Sequence, residues 1–265
     1  MNPINITIIS LSIIFLGTLI GSSFVFFLKK SFSNKVSSII MGFASGIMIA
    51  AGFLGLLIPA IEEANTSYGD LAVLPVIVGF LLGGVLLFVL DKVIPHIHIN
   101  TKEEEGGASN ISKNLKFFLA VTIHNIPEGL AVGFALGLAF NSDPSNMDIN
   151  LLSALTLSIG MFIQNIPEGA AISVPMLKEG VSKPKAFLYG MFSGLVEPIF
   201  GLLGLVLASN IAMLLPWLLA FSAGAMIYVT VDELLPSMRE HGHYHLGIWS
   251  FMIGLTIMMV LELVL

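Results

Sequence analysis

The sequence predicts an all-α membrane protein that crosses the bilayer eight times, and three observations predict it. Hydrophobic residues make up 56% of the 265 and charged residues only 11%, less than half the charged share of an ordinary soluble domain. The apolar residues gather into eight stretches, each long enough to cross a hydrocarbon core that takes ~20 helical residues, and little chain is left for a soluble domain. The eleven Lys and Arg alternate: all lie in or at the edge of the connections between spans one and two, three and four, five and six, and seven and eight. Short loops rich in Lys and Arg stay cytoplasmic, so both termini are expected outside. One transmembrane domain, 1–265, is the expectation. Cys is absent, which excludes disulfides, thiolate metal sites and Cys-based catalysis.

Span one covers about 4–28. It has no positively charged leader and its apolar run is too long for a signal-peptide core, so it is read as a retained helix; Lys29, Lys30 and Lys35 follow it. Span two, 36–60, holds Met48 in ASGIMIAAG and ends at Pro59, with Glu62 and Glu63 just outside. Span three, 71–94, leads into the longest connection, 95–114. This segment reads PHIHINTKEEEGGASNISKN and is expected to be a flexible cytoplasmic loop. Spans four (115–140) and five (149–177) carry HNIPEG at His124–Gly129 and QNIPEG at Gln164–Gly169, a repeat forty positions apart with five of six residues identical. Span six, 184–208, contains Glu197 in GLVEPIFG, again followed by Pro; span seven, 211–236, ends with Asp232 and Glu233 ahead of Pro236. Three histidines, His241, His243 and His245, precede span eight, 246–265. They and His96 and His98 are read as auxiliary at most. Asp70, Asp143 and Asp148 leave the outer side acidic, which concentrates cations there.

Charged groups at mid-membrane are costly, so they face a protein interior and mark a function. Within the first copy, His124 and Glu128 are spaced i, i+4 and Asn125 and Glu128 i, i+3, which puts all three on one helical face. Pro127 has no N–H, so the helix is expected to kink there and free the carbonyl of Ile123. The second copy repeats this with Gln164, Asn165, Pro167 and Glu168, freeing the carbonyl of Ile163. Such distortion is tolerated in a membrane only inside protein or beside a wet cavity. If the two helices face each other, an imidazole, a Gln amide, two Asn amides and two carboxylates converge. Buried carboxylates held close resist ionising together, and divalent cations remove that penalty. The nitrogen and oxygen donors suit Zn²⁺, Fe²⁺, Mn²⁺ and Cd²⁺ better than Cu⁺.

At HNIPEG and QNIPEG the sequence resembles the ZIP family of metal transporters, in particular its bacterial GufA-like branch, and the resemblance extends over essentially the whole chain. It implies a binuclear metal centre with ligands His124, Asn125, Glu128, Gln164, Asn165 and Glu168. Glu197 resembles the additional ligand of the second metal, Met48 a thioether lining the same centre, and Glu233 is read as an exit ligand. Many relatives carry His where Gln164 stands. The resemblance also implies a three-two-three helix arrangement with inverted symmetry, a homodimer, and an elevator-like movement of spans one, four, five and six.

The function expected is uptake of divalent metal, Zn²⁺ first and Cd²⁺, Fe²⁺ or Mn²⁺ in addition, across a bacterial plasma (inner) membrane. The metal is substrate, and no organic cofactor or nucleic-acid partner is expected. There is no Gly-rich loop ending in Lys-Ser or Lys-Thr for ATP, so uptake runs down the electrochemical gradient or is coupled to ions. Two other function classes compete with this one. An intramembrane metallohydrolase would use a metal-activated water, but HExxH is absent and no general base is left over. An ion-coupled carrier of organic substrates would leave His124 unexplained. No enzymatic activity is expected.

Overall fold

The computed structural model describes residues 2–27, 33–93, 96–97, 104–105, 113–177, 180–210, 212–240 and 243–264. Helix α1 is Pro3–Phe27, and α2, Asn34–Ala50, is capped by Ser33, whose hydroxyl accepts from the Val36 N–H. A π-helical segment, Ala51–Leu57, joins α2 to α3, Ile58–Tyr68. Then come α4, Val73–Val93; α5, Lys113–Asn141; and α6, Met147–Met176. Span six is α7, Lys183–Gly194, with α8, Val196–Asn210; span seven is α9, Leu215–Val229, a π-helical segment Thr230–Leu234 and α10, Leu235–Glu240; α11 is Tyr244–Val264.

Seven stretches are long and apolar enough to cross a membrane: Pro3–Phe27, Asn34–Leu71, Val73–Leu90, Met147–Val174, Lys183–Ala208, Leu215–Leu234 and His245–Val264. With α5, 29 residues long, they overlie the eight apolar stretches of the sequence. The expected boundaries differ most at span two, which does not stop at 60 but runs to Tyr68. Its π-helical segment explains how. Pro59 cannot donate to Gly55 and its ring would clash with that carbonyl; the residue before it, Ile58, bonds instead to Phe53, five residues back. Span seven repeats the device, with Leu235 bonding to Thr230 just ahead of Pro236. The widened turn absorbs the proline without ending the helix.

The connection expected to be a loop over 95–114 contains a two-residue antiparallel ladder, His96–Ile97 beside Glu104–Glu105, and α5 already starts at Lys113. His98 and His241 lie outside the described residues.

The helices pack most closely as four pairs: α1 on α6, α5 on α8, α2 on α11, and α4 on α9. Each pair is closed by two glycines four residues apart. Gly17 and Gly21 lie on Phe162 and Ile166, Gly129 and Gly133 on Glu197 and Gly201, Gly42 and Gly46 on Gly247 and Phe251, and Gly79 and Gly83 on Trp217 and Phe221. A Cβ at any of the eight would come within 3 Å of the partner's carbonyl oxygen. Lipid is as apolar as a leucine side chain, so helices associate in a membrane through such close backbone approach. The faces left uncovered carry aliphatic and aromatic side chains such as Leu81, Val85, Ile199, Val206, Ile253 and Val260, as a bilayer requires. At one rim the Tyr68 hydroxyl donates to the Met213 carbonyl (2.7 Å) and accepts from Trp217 Nε1 (2.9 Å), tying the end of α3 to the start of α9.

Candidate metal centre

Helices α1, α5, α6, α7 and α8 build the site. The HNIPEG and QNIPEG segments lie within α5 and α6, which stay helical through Pro127 and Pro167. Their terminal glycines act as docking points. Gly129 receives the Glu197 peptide, and Gly169 receives the Thr18 peptide of α1. Span six breaks at Leu195 between α7 and α8, because Pro198 offers no N–H to the Gly194 carbonyl. This break falls beside Glu197 and within reach of α5.

The polar side chains form two hydrogen-bonded sets, one around Gln164 and one around Glu197. Gln164 Nε2 donates to Glu128 Oε1 (2.6 Å) and to Glu168 Oε2 (3.0 Å). Asn125 Nδ2 donates to the Ser193 carbonyl and to Glu197 Oε1, both at 3.1 Å. Asn165 Nδ2 donates to the Ile14 carbonyl (3.0 Å) and to Glu197 Oε2. The Thr18 hydroxyl donates to Glu197 Oε1 (2.9 Å), and the Ser222 hydroxyl of α9 reaches the Pro127 carbonyl (3.3 Å). Asn125, Glu128, Gln164, Asn165 and Glu197 are buried, and Glu168 is partly so.

An amide nitrogen has two hydrogens. In Asn125, Asn165 and Gln164 both are used, so the orientation of all three amides is determined: turning any of them over would press its oxygen against carboxylate or carbonyl oxygens. Their oxygens therefore face away from these hydrogen bonds. All three, Asn125 Oδ1, Asn165 Oδ1 and Gln164 Oε1, are buried without a hydrogen-bond partner, and so is Glu128 Oε2. A buried acceptor left unmade costs about 1–3 kcal/mol, and four in one motif pair is a large uncompensated cost. Every orphan is a lone-pair oxygen, which is the chemistry a hard or borderline cation satisfies. Hydrogen bonding between helices alone would not leave the acceptors empty. Among the described residues no three His, Asp or Glu side chains close on a common point.

The sequence-derived residues fall into two groups. Hydrogen bonds join Asn125 and Asn165 to Glu197, and Glu128 and Glu168 to Gln164. Met48 is buried beside Ile123, Ala225 and Val229, and its sulfur faces the Thr230 hydroxyl at 3.8 Å. Glu233 is buried in the π-helical segment of span seven. His124 occupies the turn of α5 before Glu128, and its side chain lies outside the described residues. Sequence reasoning missed Thr18, Ser222 and the carbonyls of Ile14 and Ser193. The hydroxyls carry only a weak signal, a polar residue near close-packing glycines, and the carbonyls carry none. It also passed over Glu262 of α11, whose Oε1 is buried without a partner next to Gly55, although a carboxylate inside a span is readable directly.

A family model described as ZIP Zinc transporter matches residues 4–116 and 100–262. Zinc transporter ZIP11 of Xenopus tropicalis is 32% identical, over 93% of this chain and 95% of its own. Zinc transporter GufA of Myxococcus xanthus is 32% identical over 87% and 88%. Zinc transporter ZupT of Chlorobaculum parvum is 31% identical over 92% and 90%.

Proposed function

The chain belongs to the ZIP zinc transporter family, and from that premise we propose that it carries Zn²⁺ into the cytoplasm through the centre on α5 and α6. It is an integral membrane protein and a transporter; the family's activity closes the metallohydrolase reading. The observation that carries the proposal is the set of four orphaned oxygens on Asn125, Glu128, Gln164 and Asn165. With His124, Glu168 and the lone pair remaining on Glu197, they supply enough donors for two ions bridged by the carboxylates. Amide oxygens are weaker ligands than thiolates, which suits a site that must release its ion, and the same donor set admits Cd²⁺, Fe²⁺ and Mn²⁺. An inside-negative potential favours inward movement by roughly 2.3 kcal/mol per charge per 100 mV.

A three-two-three arrangement with inverted symmetry is supported by the pairing of spans. Exchanging one with six, two with seven, three with eight and four with five turns the pair one–five into six–four, and two–eight into seven–three. The same exchange relates the two π-helical segments, in spans two and seven. Within this scheme spans one, four, five and six form one body around the ion, and the others form its frame, with Met48 and Glu233 on the frame side. Movement of one body against the other provides alternating access. The alternating Lys and Arg support cytoplasmic placement of the loops after odd spans, in a bacterial plasma membrane. The homodimer is carried over from the family resemblance.

The test is uptake into proteoliposomes with an inside-negative potential. Saturable Zn²⁺ entry that grows with the potential supports the reading; folded protein that moves none of Zn²⁺, Cd²⁺, Fe²⁺ or Mn²⁺ overturns it, and favours the organic-substrate carrier. A narrower expectation concerns Gln164. Gln164→Met keeps the volume but removes the shared donor and one orphan oxygen, so half-saturation for Zn²⁺ should rise roughly tenfold. Unchanged uptake kinetics would remove Gln164 from the ligand set.

A further inference from the structure

We propose that Thr18 of α1 is a positioning residue of the metal centre, which acts by holding Glu197 so that both asparagine oxygens face the ion. The inference rests on the reading of this site as the metal-transport centre. Span one has no ionisable side chain between Pro3 and Phe27, yet it touches the set around Glu197 twice, through the Thr18 hydroxyl and the Ile14 carbonyl. The two positions are one helical turn apart and both residues are buried.

The geometry makes Glu197 the hub. Its Oε1 accepts from Thr18 and Asn125, and its Oε2 accepts from Asn165. A carboxylate oxygen has about two lone-pair sites. Oε1 is therefore filled, and Oε2 keeps one site for an ion. Thr18 thus decides which oxygen of Glu197 is available. By fixing the carboxylate it also fixes the Nδ2 groups of Asn125 and Asn165 and, with them, the outward direction of Asn125 Oδ1 and Asn165 Oδ1. Without the hydroxyl, Glu197 is free to rotate about its last bond, and both amides lose their common reference.

Thr18 is itself held firmly. Its peptide carbonyl lies against Gly169, and its side chain fills the space at Gly194, where a Cβ would come 2.6 Å from the Thr18 Cβ. One residue of span one therefore bears on the QNIPEG helix, on the break in span six and, through Glu197, on HNIPEG. Groups that orient metal ligands in this way typically change metal affinity by roughly 10–100-fold when removed.

Zn²⁺ titrated calorimetrically into the purified full-length protein in lipid nanodiscs tests this with wild type, Thr18→Val and Thr18→Ser. Valine has the shape of threonine without the donor, and serine keeps the donor without the methyl. The expected result is a Kd about tenfold weaker for Thr18→Val, most of the affinity recovered in Thr18→Ser, and a metal-free melting temperature within a few degrees of wild type for both. Equal Kd values for wild type and Thr18→Val overturn the positioning role, as does a Thr18→Ser protein as weak as Thr18→Val, which would make the contribution one of packing. If Thr18→Val is not monodisperse, Thr18→Ala takes its place under the same thresholds. A wild type that binds no Zn²⁺ overturns the metal-centre reading itself, and this inference with it.

Discussion

Replacing Glu128 and Glu168 together by alanine is expected to abolish saturable Zn²⁺ uptake into proteoliposomes, a loss of at least about 100-fold, while the protein still folds. Both carboxylates accept from Gln164 Nε2, and among the described residues neither is neutralised by a Lys or Arg. In the proposed centre they contribute the negative charge that a dication needs at mid-membrane, and the three amides only solvate it. Their removal leaves Gln164 without its two acceptors and deprives the proposed centre of both bridging carboxylates. The two unpaired Gln164 hydrogens cost about 1–3 kcal/mol each, a loss that relief of repulsion between the two carboxylates offsets in part. The controls are a monodisperse elution profile and uptake by the wild type in the same preparation. Uptake in the double variant at a wild-type rate would mean that ions cross elsewhere.

The second large effect is structural and sets two adjacent residues against each other. Gly83→Ala places a Cβ on the Phe221 carbonyl oxygen and 2.8 Å from the Ala225 nitrogen, backbone atoms that cannot step aside; at Gly84 the nearest atom to a new Cβ is Tyr228 Cδ2 at 3.8 Å, an ordinary contact. Gly83→Ala must force α4 away from α9. Overpacking of this kind costs about 3 kcal/mol, roughly 10 °C in melting temperature for a chain of this size. Gly84→Ala should be neutral or slightly stabilising, since alanine is the better helix former. Thermal unfolding in detergent followed by tryptophan fluorescence checks both, with Trp217 near the affected pair. Equal melting temperatures for the two variants would show that α4 and α9 do not meet through Gly83.

Much of this architecture was legible because a bilayer enforces simple rules. The apolar runs mark the spans, the alternating Lys and Arg predict a direction for them, and the repeated NIPEG core predicts a site. Gln164, Asn125 and Asn165 could be read as site residues from their spacing, but their orientation could not. For the two asparagines it depends on donor counts that involve Glu197, Ser193 and Ile14, partners at least 32 residues away along the chain, and for Gln164 on Glu128 together with the nearby Glu168. Thr18 was missed for the same reason: an isolated hydroxyl in an apolar span has no periodicity to betray it. The continuation of span two to Tyr68 was missed because Pro59 reads locally as a stop, whereas a π-helical segment lets the helix pass. Pro236 in span seven is handled alike, so a proline deep in an apolar run was the available signal. Met48 stays beside Ile123 and Thr230, a position that spacing did not reveal.

The glycine-closed pairs also impose an order in time. No pair joins neighbours along the chain: α1 waits for α6, α5 for α8, α4 for α9, and α2 for α11. A ribosome adding 5–20 residues per second leaves the Gly42–Gly46 face of α2 unmatched for about 200 residues, on the order of 10–40 s. By then α1, α5, α6, α7 and α8 have all been made, so the helices of the proposed ion site are complete before the last two spans emerge to collect α4 and α2. The early spans must therefore persist as separate helices in lipid, as two-stage assembly requires. The N-terminal half of the chain is committed to partners that the ribosome has not yet produced.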